Sequence, residues 1–298
     1  MIMKNSIEDG IKSFFGEMVT IKETSYVGGG DINESRCLQL SNGEKIFVKS
    51  NSIKNKGFFE AEETGINAIA STDAIKVPKL LFRGVDESAG KAFLAMEYIN
   101  GAGRIHDFWE IFGQSLAAMH LADTGSFVSD GSYGFDTDNY IGASVQINSP
   151  RDTWLDFFRE CRLEPQFRMA EGYFDNTSIR KILKLLDKLP DYLIEPKQPS
   201  LLHGDLWSGN YIVGDDGRAW LIDPAVYVGH AEADLAMTEL FGRFPAEFYD
   251  SYSTVNPIEP GYRDRRNLYN LYHLTNHLNL FGTAYLSAVL SIVEHYAW

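Results

Sequence analysis

The chain has 298 residues and a formal net charge of −14; 44% of its residues are hydrophobic and 23% are charged. A chain of this length can bury a sizeable core and form two lobes or domains, and the composition is ordinary for a globular protein. The acidic balance argues against a general nucleic-acid binder, which needs a basic surface to release counterions from phosphates.

Cysteine content and the N-terminal sequence predict a cytoplasmic protein. The two cysteines, Cys37 and Cys161, are too few for a disulfide framework, so reduced thiols are expected. Residues 1–6 lack the apolar core of a signal peptide, and no apolar run is long enough to span a membrane.

The first fifty residues predict one helix followed by three strands. Ser6 and Asp9 have the spacing of a capping box, which opens a helix with its apolar residues on one side. Strand-like segments follow at about 18–27, 36–41 and 45–50.

Three consecutive glycines, Gly28, Gly29 and Gly30, separate the first two strands. The backbone N–H groups of such a run can approach the phosphates of a nucleotide, although glycine-rich turns between strands are also common without a ligand. Asp31 follows directly, and its carboxylate would repel a triphosphate. We therefore expect Asp31 to point away or to contact a cation or the substrate.

Lys49 ends the third strand, and its predicted partner lies on a helix at about 57–70. Glu62 falls near the centre of that helix's apolar stripe, whereas Glu60 and Glu63 lie off it. A buried carboxylate is costly unless a cation pairs with it, so we expect Glu62 to hold Lys49, as in the pair that positions nucleotide phosphates in kinases. The alternative is a partly exposed Glu62. The stripe consists of Phe58, Phe59, Ile66 and Ile69.

Two further strands are predicted at 77–82 and 91–96, followed by a linker-like segment. In a kinase this segment is the hinge, whose backbone pairs with adenine. The candidate nucleotide contacts here are Met96, Glu97 and Ile99. Five strands and one key helix would then form a nucleotide-binding lobe of residues 1–99, and residues 100–298 would form a catalytic and substrate-binding lobe.

The second half of the chain has mainly helical periodicity. We expect helices at 107–121, 151–170, 177–189, 231–242, 262–281 and 283–297. Residues 131–140 are rich in glycine and aspartate and predict an ordered surface loop. His120 is expected to pack at the end of its helix rather than to bind a ligand. Asp234 either orients a catalytic loop or is a helix N-terminal acid.

The strongest motif runs from His203 to Asn210 and reads His-Gly-Asp-Leu-Trp-Ser-Gly-Asn. Asp205 precedes Asn210 by five positions, and Asp223 follows thirteen positions later. This is the order of a kinase catalytic loop, in which an Asp receives the proton of the acceptor hydroxyl and the later Asn and Asp hold magnesium.

The residues between Asn210 and Asp223 support this interpretation. Residues 211–213 and 219–222 predict short strands around a hairpin turn, and a hairpin brings its two ends together. Two hard oxygen ligands at one place suit Mg²⁺. The alternative is a polar turn before an exposed hairpin.

His273 and His277 lie one turn apart on the helix predicted at 262–281. Helical zinc ligands share this spacing, but no Glu stands next to His273 and no third soft ligand follows, so zinc is not expected. We expect this polar and aromatic face to line a cleft for a hydroxylated substrate. The alternative is a plain surface face.

With these motifs in place, the sequence resembles the fructosamine/ketosamine-3-kinase family, relatives of aminoglycoside phosphotransferases and choline kinases within the protein-kinase-like fold. The catalytic motif alone suits the wider superfamily. Four features point to this one family: the tryptophan in the 203–210 motif, Asp223-Pro224-Ala225, and segments 229–237 and 271–282. Residues 138–142 and 154–166 also look like that family. Many relatives carry cysteine where this chain has Asp31, which puts redox control through the glycine run in doubt.

The resemblance implies an α+β, two-lobed fold with a small antiparallel-sheet N-lobe and a larger, mainly helical C-lobe. It implies that ATP, with Mg²⁺, phosphorylates the 3-hydroxyl of a ketosamine, the adduct of a sugar with an amine. Phosphate on O3 lies β to the C2 carbonyl, so elimination releases the amine and repairs a glycated amine or protein. In this scheme Asp205 is the base and Lys49 grips phosphate, while Trp207 stacks on the sugar or excludes wrong acceptors, unless it is a core residue.

Two other functions are compatible with the sequence. One is a kinase of another small hydroxylated substrate, such as an aminoglycoside or choline. The other is a nucleotide-binding pseudokinase, which the presence of all five kinase side chains disfavours. We expect a small-molecule or protein-bound ketosamine as the partner, no nucleic acid or membrane, and a monomer or weak dimer.

Overall fold

A computed structural model describes residues 3–28, 33–129 and 132–298 of the chain. The strands are β1 (Met3–Lys4), β2 (Ile21–Tyr26), β3 (Glu34–Leu40), β4 (Lys45–Ser52), β5 (Leu80–Asp86), β6 (Lys91–Glu97), β7 (Asn139–Ile141), β8 (Ser144–Gln146), β9 (Ser200–Leu202), β10 (Tyr211–Val213), β11 (Ala219–Leu221) and β12 (Tyr227–Gly229). The helices are α1 (Ile7–Phe15), α2 (Lys56–Ser71), α3 (Phe108–His120), α4 (Trp154–Phe157), α5 (Glu164–Met169), α6 (Asn176–Tyr192), α7 (Glu232–Leu240), α8 (Ala246–Val255), α9 (Tyr262–Phe281) and α10 (Leu286–Tyr296). Within the described ranges, no helix combines the length and the apolar character that crossing a membrane requires.

The N-terminal part is built on a six-stranded sheet in the order β1-β5-β6-β4-β3-β2. Neighbouring strands are antiparallel except β1 and β5, which are parallel. The sequence predicts the five longer strands, whereas β1 has only two residues, too few for alternation to reveal it. α1 covers one face of the sheet and begins as predicted, because Ser6 Oγ accepts the Asp9 N–H at 3.0 Å.

α2 packs on the opposite face of the sheet, the face that carries Lys49. Phe59 and Ile66 of α2 form a buried cluster with Leu94 and Met96 of β6. Lys49 lies opposite Leu94 in the β4–β6 register, and residues directly opposite each other in an antiparallel pair share a face. The helix therefore lies beside the lysine.

The other side of α2 faces the C-terminal part of the protein. A Cβ added at Gly65 would lie 3.2 Å from Pro224 Cγ and 3.3 Å from Val226 Cγ2. Because α2 is buried on two sides, a single apolar stripe does not describe it. Glu63, which the sequence places off the stripe, is buried and contacts the guanidinium of Arg83 on β5. The position of Glu63 off the stripe therefore does not reveal its burial.

Helices dominate the C-terminal part, where α3, α7, α8 and α9 share one large hydrophobic cluster. α3 and α8 approach closely at Gly113, where a Cβ would collide with the Phe248 carbonyl oxygen. The sequence does not predict α8, because Ser251, Ser253 and Thr254 are weak helix formers within a helix of ten residues.

The helix predicted at 151–170 is interrupted. It begins at Trp154 and continues through a π-helical turn, Phe158–Leu163, into α5. A π-turn contains more residues than an α-turn and so changes which side chains face inward. Here Arg162 and Cys161 are both buried, and the Arg162 guanidinium lies over neighbouring aromatic rings.

The segment 132–140 is only in part the surface loop that the sequence predicts for 131–140. Residues 132 and 136–138 are exposed and irregular, as predicted. Tyr133 and Phe135 are buried, and β7 and β8 form a hairpin in which Asn139 and Gln146 are also buried, so the prediction is wrong for these positions. Glycine and aspartate indicate turns, but they do not show whether other elements cover the turn.

Candidate active site

The predicted hairpin is formed by β10 and β11, with Tyr211 opposite Leu221. Just beyond its open end, the Ile222 N–H donates to the Asn210 carbonyl oxygen at 3.0 Å. Asp223 follows Ile222 directly. The hairpin thus brings the two candidate metal ligands, Asn210 and Asp223, to neighbouring positions.

Lys49 is buried and pairs with two carboxylates. Its Nζ lies 2.6 Å from Glu62 Oε1 and also contacts Asp223 Oδ1. Burial opposes the positive charge, but the carboxylates of Asp223 and Glu62 outweigh it and raise the pKa of Lys49 above its ordinary value. The Lys49–Glu62 pair that the sequence predicts is therefore formed.

Asp205 and Asn210 are hydrogen-bonded to each other. The Asn210 side-chain nitrogen donates to the Asp205 carboxylate at 2.9 Å and to the Asp205 backbone oxygen at 2.7 Å. Both partners are acceptors, so the amide nitrogen must face Asp205 and the amide oxygen points away. Burial raises the pKa of Asp205 to about 8; the Asn210 hydrogen bond opposes this shift, and Asp223 and Asp234 add to it.

Asp234 fixes the segment 203–210, called loop 203–210 below. Its carboxylate accepts the backbone N–H groups of His203 at 2.7 Å and of Gly204 at 2.9 Å, and His120 Nε2 lies 3.2 Å away. Of the two roles that the sequence allows for Asp234, these contacts support orientation of the loop. His120 is fully buried, and its Nδ1 lies 2.8 Å from the Tyr252 hydroxyl, as expected for a packed residue.

The segment 223–226, called loop 223–226 below, is held against loop 203–210. The Ala225 N–H donates to the His203 carbonyl oxygen at 2.8 Å. Gly204 has a φ of 81°, and a Cβ there would collide with the Ala225 carbonyl oxygen, so the position requires glycine. Asp223 has a φ of 54°, a left-handed conformation that costs free energy in a residue with a side chain. The backbone hydrogen bonds of Ile222 and Ala225, on either side of Asp223, hold it in this conformation.

The Trp207 indole is 36% exposed and packs edge-on against Phe241, with ring centroids 6.2 Å apart. Phe241 in turn packs against His277 of α9 at 4.8 Å. We call Trp207, Phe241 and His277 the aromatic surface. Sequence reasoning misses Phe241, because an aromatic residue just beyond a helix end has no distinguishing pattern.

The two histidines of α9 have different environments. His273 is buried, whereas His277 is partly exposed and its Nδ1 lies 2.8 Å from the His273 carbonyl oxygen. Burial lowers the pKa of both imidazoles, that of His273 to about 3, so both are neutral at pH 7. Only His277 belongs to the aromatic surface. His273 is buried beneath this surface, and the expectation that this face of α9 lines a cleft for a hydroxylated substrate stays a prediction.

Most of the glycine run falls outside the described part of the chain. Gly29, Gly30 and Asp31 lie outside the described residues, and Gly28 is exposed at the edge of that gap. A Cβ on Gly28 would meet no described atom within 4 Å. The phosphate-binding role of the run stays a prediction.

The hinge candidates occupy the end of β6. Met96 is buried opposite Phe47 of β4, and Ile99 is partly exposed. The Glu97 N–H donates to the Lys79 carbonyl oxygen at 2.9 Å, so this N–H is already engaged within the protein. An adenine contact at Glu97 would therefore use its carbonyl group.

Phe47 and Cys37 share the sheet face of Lys49, and sequence reasoning misses both. Cys37 lies opposite Phe47 in the β3–β4 register, and Phe47 precedes Lys49 by two residues. Period-two alternation, applied outward from Lys49, would have found them. Phe47 is partly exposed, whereas Cys37 is buried, and burial raises the pKa of its thiol.

Two cavities of the described structure lie away from this cluster. One of about 320 Å³ lies between α2 and α3, and another of about 570 Å³ lies beside β1 and β5. Neither is lined by Lys49, Asp205, Asn210 or Asp223. The candidate site therefore rests on the chemistry of the cluster and not on cavity size.

Residues 3–297 match the fructosamine kinase family. A Synechocystis protein named as a probable ketoamine kinase is 42% identical over 286 residues, which are 94% of this chain and 92% of that protein. The chloroplastic protein-ribulosamine 3-kinase of Oryza sativa subsp. indica is 38% identical over 295 residues, which are 97% of this chain and 84% of that protein.

Solved structures have the same architecture. A Thermobifida fusca protein named as a fructosamine-3-kinase has a TM-score of 0.83 at 32% identity, with 98% of this chain and 99% of that chain covered. An aminoglycoside phosphotransferase is 16% identical, with a TM-score of 0.60 and 98% of both chains covered. The choline kinase of Streptococcus pneumoniae is 14% identical, with a TM-score of 0.59 and coverage of 96% and 97%. The last two show the fold alone, and the kinase-like α+β fold is confirmed.

Proposed function

The chain belongs to the fructosamine kinase family, and we propose on that premise that it is an ATP-dependent kinase that phosphorylates the 3-hydroxyl of ketosamines. Membership makes it a phosphotransferase that acts on a hydroxyl group. The names of its relatives, ketoamine kinase and protein-ribulosamine 3-kinase, support this substrate class. The observation that carries the proposal is the cluster in which Lys49 contacts Glu62 and Asp223 while Asn210 binds Asp205.

Asp205 is the proposed catalytic base. It orients the acceptor hydroxyl and takes its proton while the oxygen attacks the terminal phosphate of ATP. Because burial raises the pKa of Asp205, its deprotonated form is a stronger base than the carboxylate of an exposed aspartate. Asp234 acts through loop 203–210 as a positioning residue, since it bonds the backbone beside Asp205.

Asn210 and Asp223 are the residues that would hold Mg²⁺. The Asn210 amide oxygen points away from Asp205 and the Asp223 side chain is 44% exposed, so both offer hard oxygen atoms of the kind that this ion prefers. When bound, Mg²⁺ supplies positive charge against the phosphate oxygens. Lys49, held by Glu62, is the protein's own cation for the phosphates.

The remaining proposed nucleotide contacts come from the first hundred residues of the sequence. They are the glycine run Gly28–Gly30, the hinge residues Met96, Glu97 and Ile99, and the partly exposed Phe47. The aromatic side chain of Phe47 offers a flat apolar surface to a base, next to the lysine that grips phosphate.

The aromatic surface is the proposed acceptor side. The Trp207 indole, two residues after the base in the sequence, stacks against the C–H face of the sugar. The neutral imidazole of His277 donates its Nδ1–H to the His273 carbonyl oxygen, so its Nε2 offers a hydrogen-bond acceptor to a sugar hydroxyl. His273, proposed from the sequence as a substrate contact, supports His277 from inside α9 through its backbone oxygen.

The proposed product explains the use of the reaction. Phosphate on O3 lies β to the C2 carbonyl, so elimination follows readily and the amine is released. The activity would therefore remove sugars from glycated amines or proteins. The cytoplasmic location stays a prediction of the sequence, because the plant relatives are named chloroplastic. The absence of a nucleic-acid partner and the monomeric or weakly dimeric state are likewise predictions.

An acceptor panel tests the proposed substrate class. Ribulosamine, fructosamine, an aminoglycoside and choline are offered with Mg²⁺ and ATP while ADP release is followed, and phosphorus NMR identifies the modified hydroxyl. We expect a ketosamine to be the preferred acceptor and O3 to carry the phosphate. Preference for the aminoglycoside or choline, or phosphate at another oxygen, would contradict the proposal.

The variant Asp205→Asn tests the proposed base. The side chain keeps its size but loses the ability to accept a proton, so kcat should fall about 10²–10⁴-fold. ADP binding, measured by titration calorimetry, should change little, which separates loss of chemistry from loss of folding. Turnover near that of the wild type would remove Asp205 from this role.

A further inference from the structure

The β7–β8 hairpin, residues 139–146, lies where α2 meets loop 223–226. On the α2 side, the Tyr140 ring packs edge-to-face against Phe58, with centroids 4.3 Å apart. The Tyr140 hydroxyl lies 3.0 Å from the position of a Cβ on Gly57, so the first turn of α2 rests directly on the hairpin. α2 is the helix that carries Glu62.

Two buried amide side chains of the same hairpin bind the backbone of loop 223–226. Asn139 Nδ2 donates to the Val226 carbonyl oxygen at 2.7 Å. Gln146 Nε2 donates to the Ala225 carbonyl oxygen at 2.9 Å and to Asn139 Oδ1 at 2.7 Å. Both amides are almost completely buried. They therefore hold the backbone two and three residues beyond Asp223.

Gln146 also connects the hairpin to α9. The Tyr272 hydroxyl donates to Gln146 Oε1 at 2.8 Å. The side-chain amide of Gln146 thus uses both of its N–H groups and its oxygen in bonds to three separate partners. Since a buried carbonyl group that loses its donor costs free energy, these bonds define one position of the loop and not a range of positions.

We propose that the β7–β8 hairpin is an alignment clamp, in which Asn139 and Gln146 are positioning residues for Asp223 and Tyr140 supports the first turn of α2. The clamp keeps the two carboxylate partners of Lys49, one on α2 and one on loop 223–226, at a fixed separation. This inference rests on the proposed function, because it assigns to Asp223 the role of a magnesium ligand.

The clamp acts on the nucleotide and metal side of the cleft, so its loss has a specific signature. A displaced Asp223 weakens the contribution of Mg²⁺ to nucleotide binding. The acceptor contacts at the aromatic surface are carried by Trp207, Phe241 and His277, which do not bond the hairpin. A purely structural role of the hairpin would lower stability without changing the dependence on Mg²⁺.

The variant Gln146→Glu tests the clamp with almost no change in shape. It replaces an N–H donor by an oxygen that faces the Ala225 carbonyl oxygen and Asn139 Oδ1, so attraction becomes repulsion. The measurement is the affinity for ADP by titration calorimetry, with and without Mg²⁺. We expect the tightening by Mg²⁺ to shrink about tenfold relative to the wild type.

A second variant and a matched control complete the experiment. Tyr272→Phe removes only one hydrogen bond to Gln146, so it disturbs folding less than Gln146→Glu does. It should reduce the Mg²⁺-dependent increase in ADP affinity about threefold. Tyr249→Phe removes a buried hydroxyl that lies 2.9 Å from Thr238, away from the hairpin, and should lower the melting temperature while leaving the Mg²⁺ dependence unchanged.

The outcomes separate the clamp from the proposed function. If Gln146→Glu and Tyr272→Phe lower the melting temperature but keep the wild-type tightening by Mg²⁺, the clamp is overturned. If wild-type binding of ADP is independent of Mg²⁺, both the clamp and the metal assignment fail. If Mg²⁺ tightens ADP binding as expected, the variants lose that tightening and no ketosamine is phosphorylated, the clamp stands and the substrate assignment falls.

Discussion

At the scale of single residues, Lys49 shows how the candidate active site is held together. Its ammonium group is buried, and two carboxylates from different parts of the chain neutralise it. Glu62 comes from a helix packed on the sheet, and Asp223 comes from a strained backbone position after the β10–β11 hairpin. A buried cation with one partner missing would be costly, so each carboxylate supports the position of the lysine.

The variant Glu62→Gln tests the contribution of the helix. The amide keeps the shape of the side chain but loses the negative charge, so Lys49 is held less firmly and kcat/KM for ATP should fall about tenfold. Steady-state kinetics at saturating acceptor provides the measurement. The control is Glu60→Gln on the exposed side of α2, which should leave kcat/KM unchanged. Equal kcat/KM for the two variants would show that the negative charge of Glu62 does not contribute to the reaction with ATP.

Sequence spacing predicts much of the site at this scale. The order of Asp205, Asn210 and Asp223 follows from a local hairpin, and a hairpin places its ends together whatever surrounds it. Glu62 follows from the periodicity of one helix. Phe241 and Gln146 have no such local signal, because their neighbours come from distant parts of the chain. The burial of Glu63 is not evident from the sequence for the same reason, since its partner Arg83 lies on β5.

At the scale of elements, close contacts between helices depend on small residues. α3 packs against α8 across Gly113, and the backbone of α8 occupies the space that a side chain there would need. Glycine weakens an isolated helix, so its presence inside α3 is explained by this approach. The sequence predicts α3 but not α8, and therefore gives no reason for the glycine.

The variant Gly113→Ala tests this packing. The added methyl group meets backbone atoms of α8, which cannot move independently, so the free energy of unfolding should fall by about 2 kcal/mol or more. Denaturant titration followed by circular dichroism provides the measurement. The control is Gly172→Ala, where a Cβ would meet no described atom within 4 Å and stability should stay the same or rise slightly. A neutral Gly113→Ala would mean that the two helices can separate without cost.

At the scale of the whole molecule, buried imidazoles couple stability to pH. Burial lowers the pKa of His230 and of His273 to about 3 in each case. An unfolded chain protonates these groups near pH 6.5, whereas the folded protein keeps them neutral. Their contribution to stability is therefore complete above about pH 6.5 and is lost as the pH falls toward 3.

The variant His230→Gln tests this coupling. Each imidazole that stays neutral in the folded state adds a slope of about 1.4 kcal/mol per pH unit to the free energy of unfolding below its unfolded pKa. The variant should lose one such slope between pH 6 and 4, measured by urea titration at several pH values. The control Tyr249→Phe removes a buried hydroxyl and no imidazole, so it should leave the slope between pH 6 and 4 as it is. An unchanged slope in His230→Gln would show that protonation of His230 does not contribute to the pH dependence of the free energy of unfolding.

The order of helices and strands in the whole chain is largely predictable, because amphipathic periodicity is a local property. The way in which distant segments cover one another is not. Tyr133 and Phe135 have the sequence context of a surface turn and yet are buried, because other elements fold over them. Packing between segments distant in sequence also places the β7–β8 hairpin against α2 and loop 223–226.

The burial of both cysteines has a consequence for chemical resistance. Cys37 is 8% exposed and Cys161 is 3% exposed, and burial raises the pKa of each thiol. A protonated sulfur shielded from solvent reacts slowly with peroxide and with alkylating reagents. The position after the glycine run is an aspartate, Asp31, which such reagents do not modify. Oxidants that inactivate enzymes through surface sulfur atoms therefore find no ready target in the cysteines of this chain.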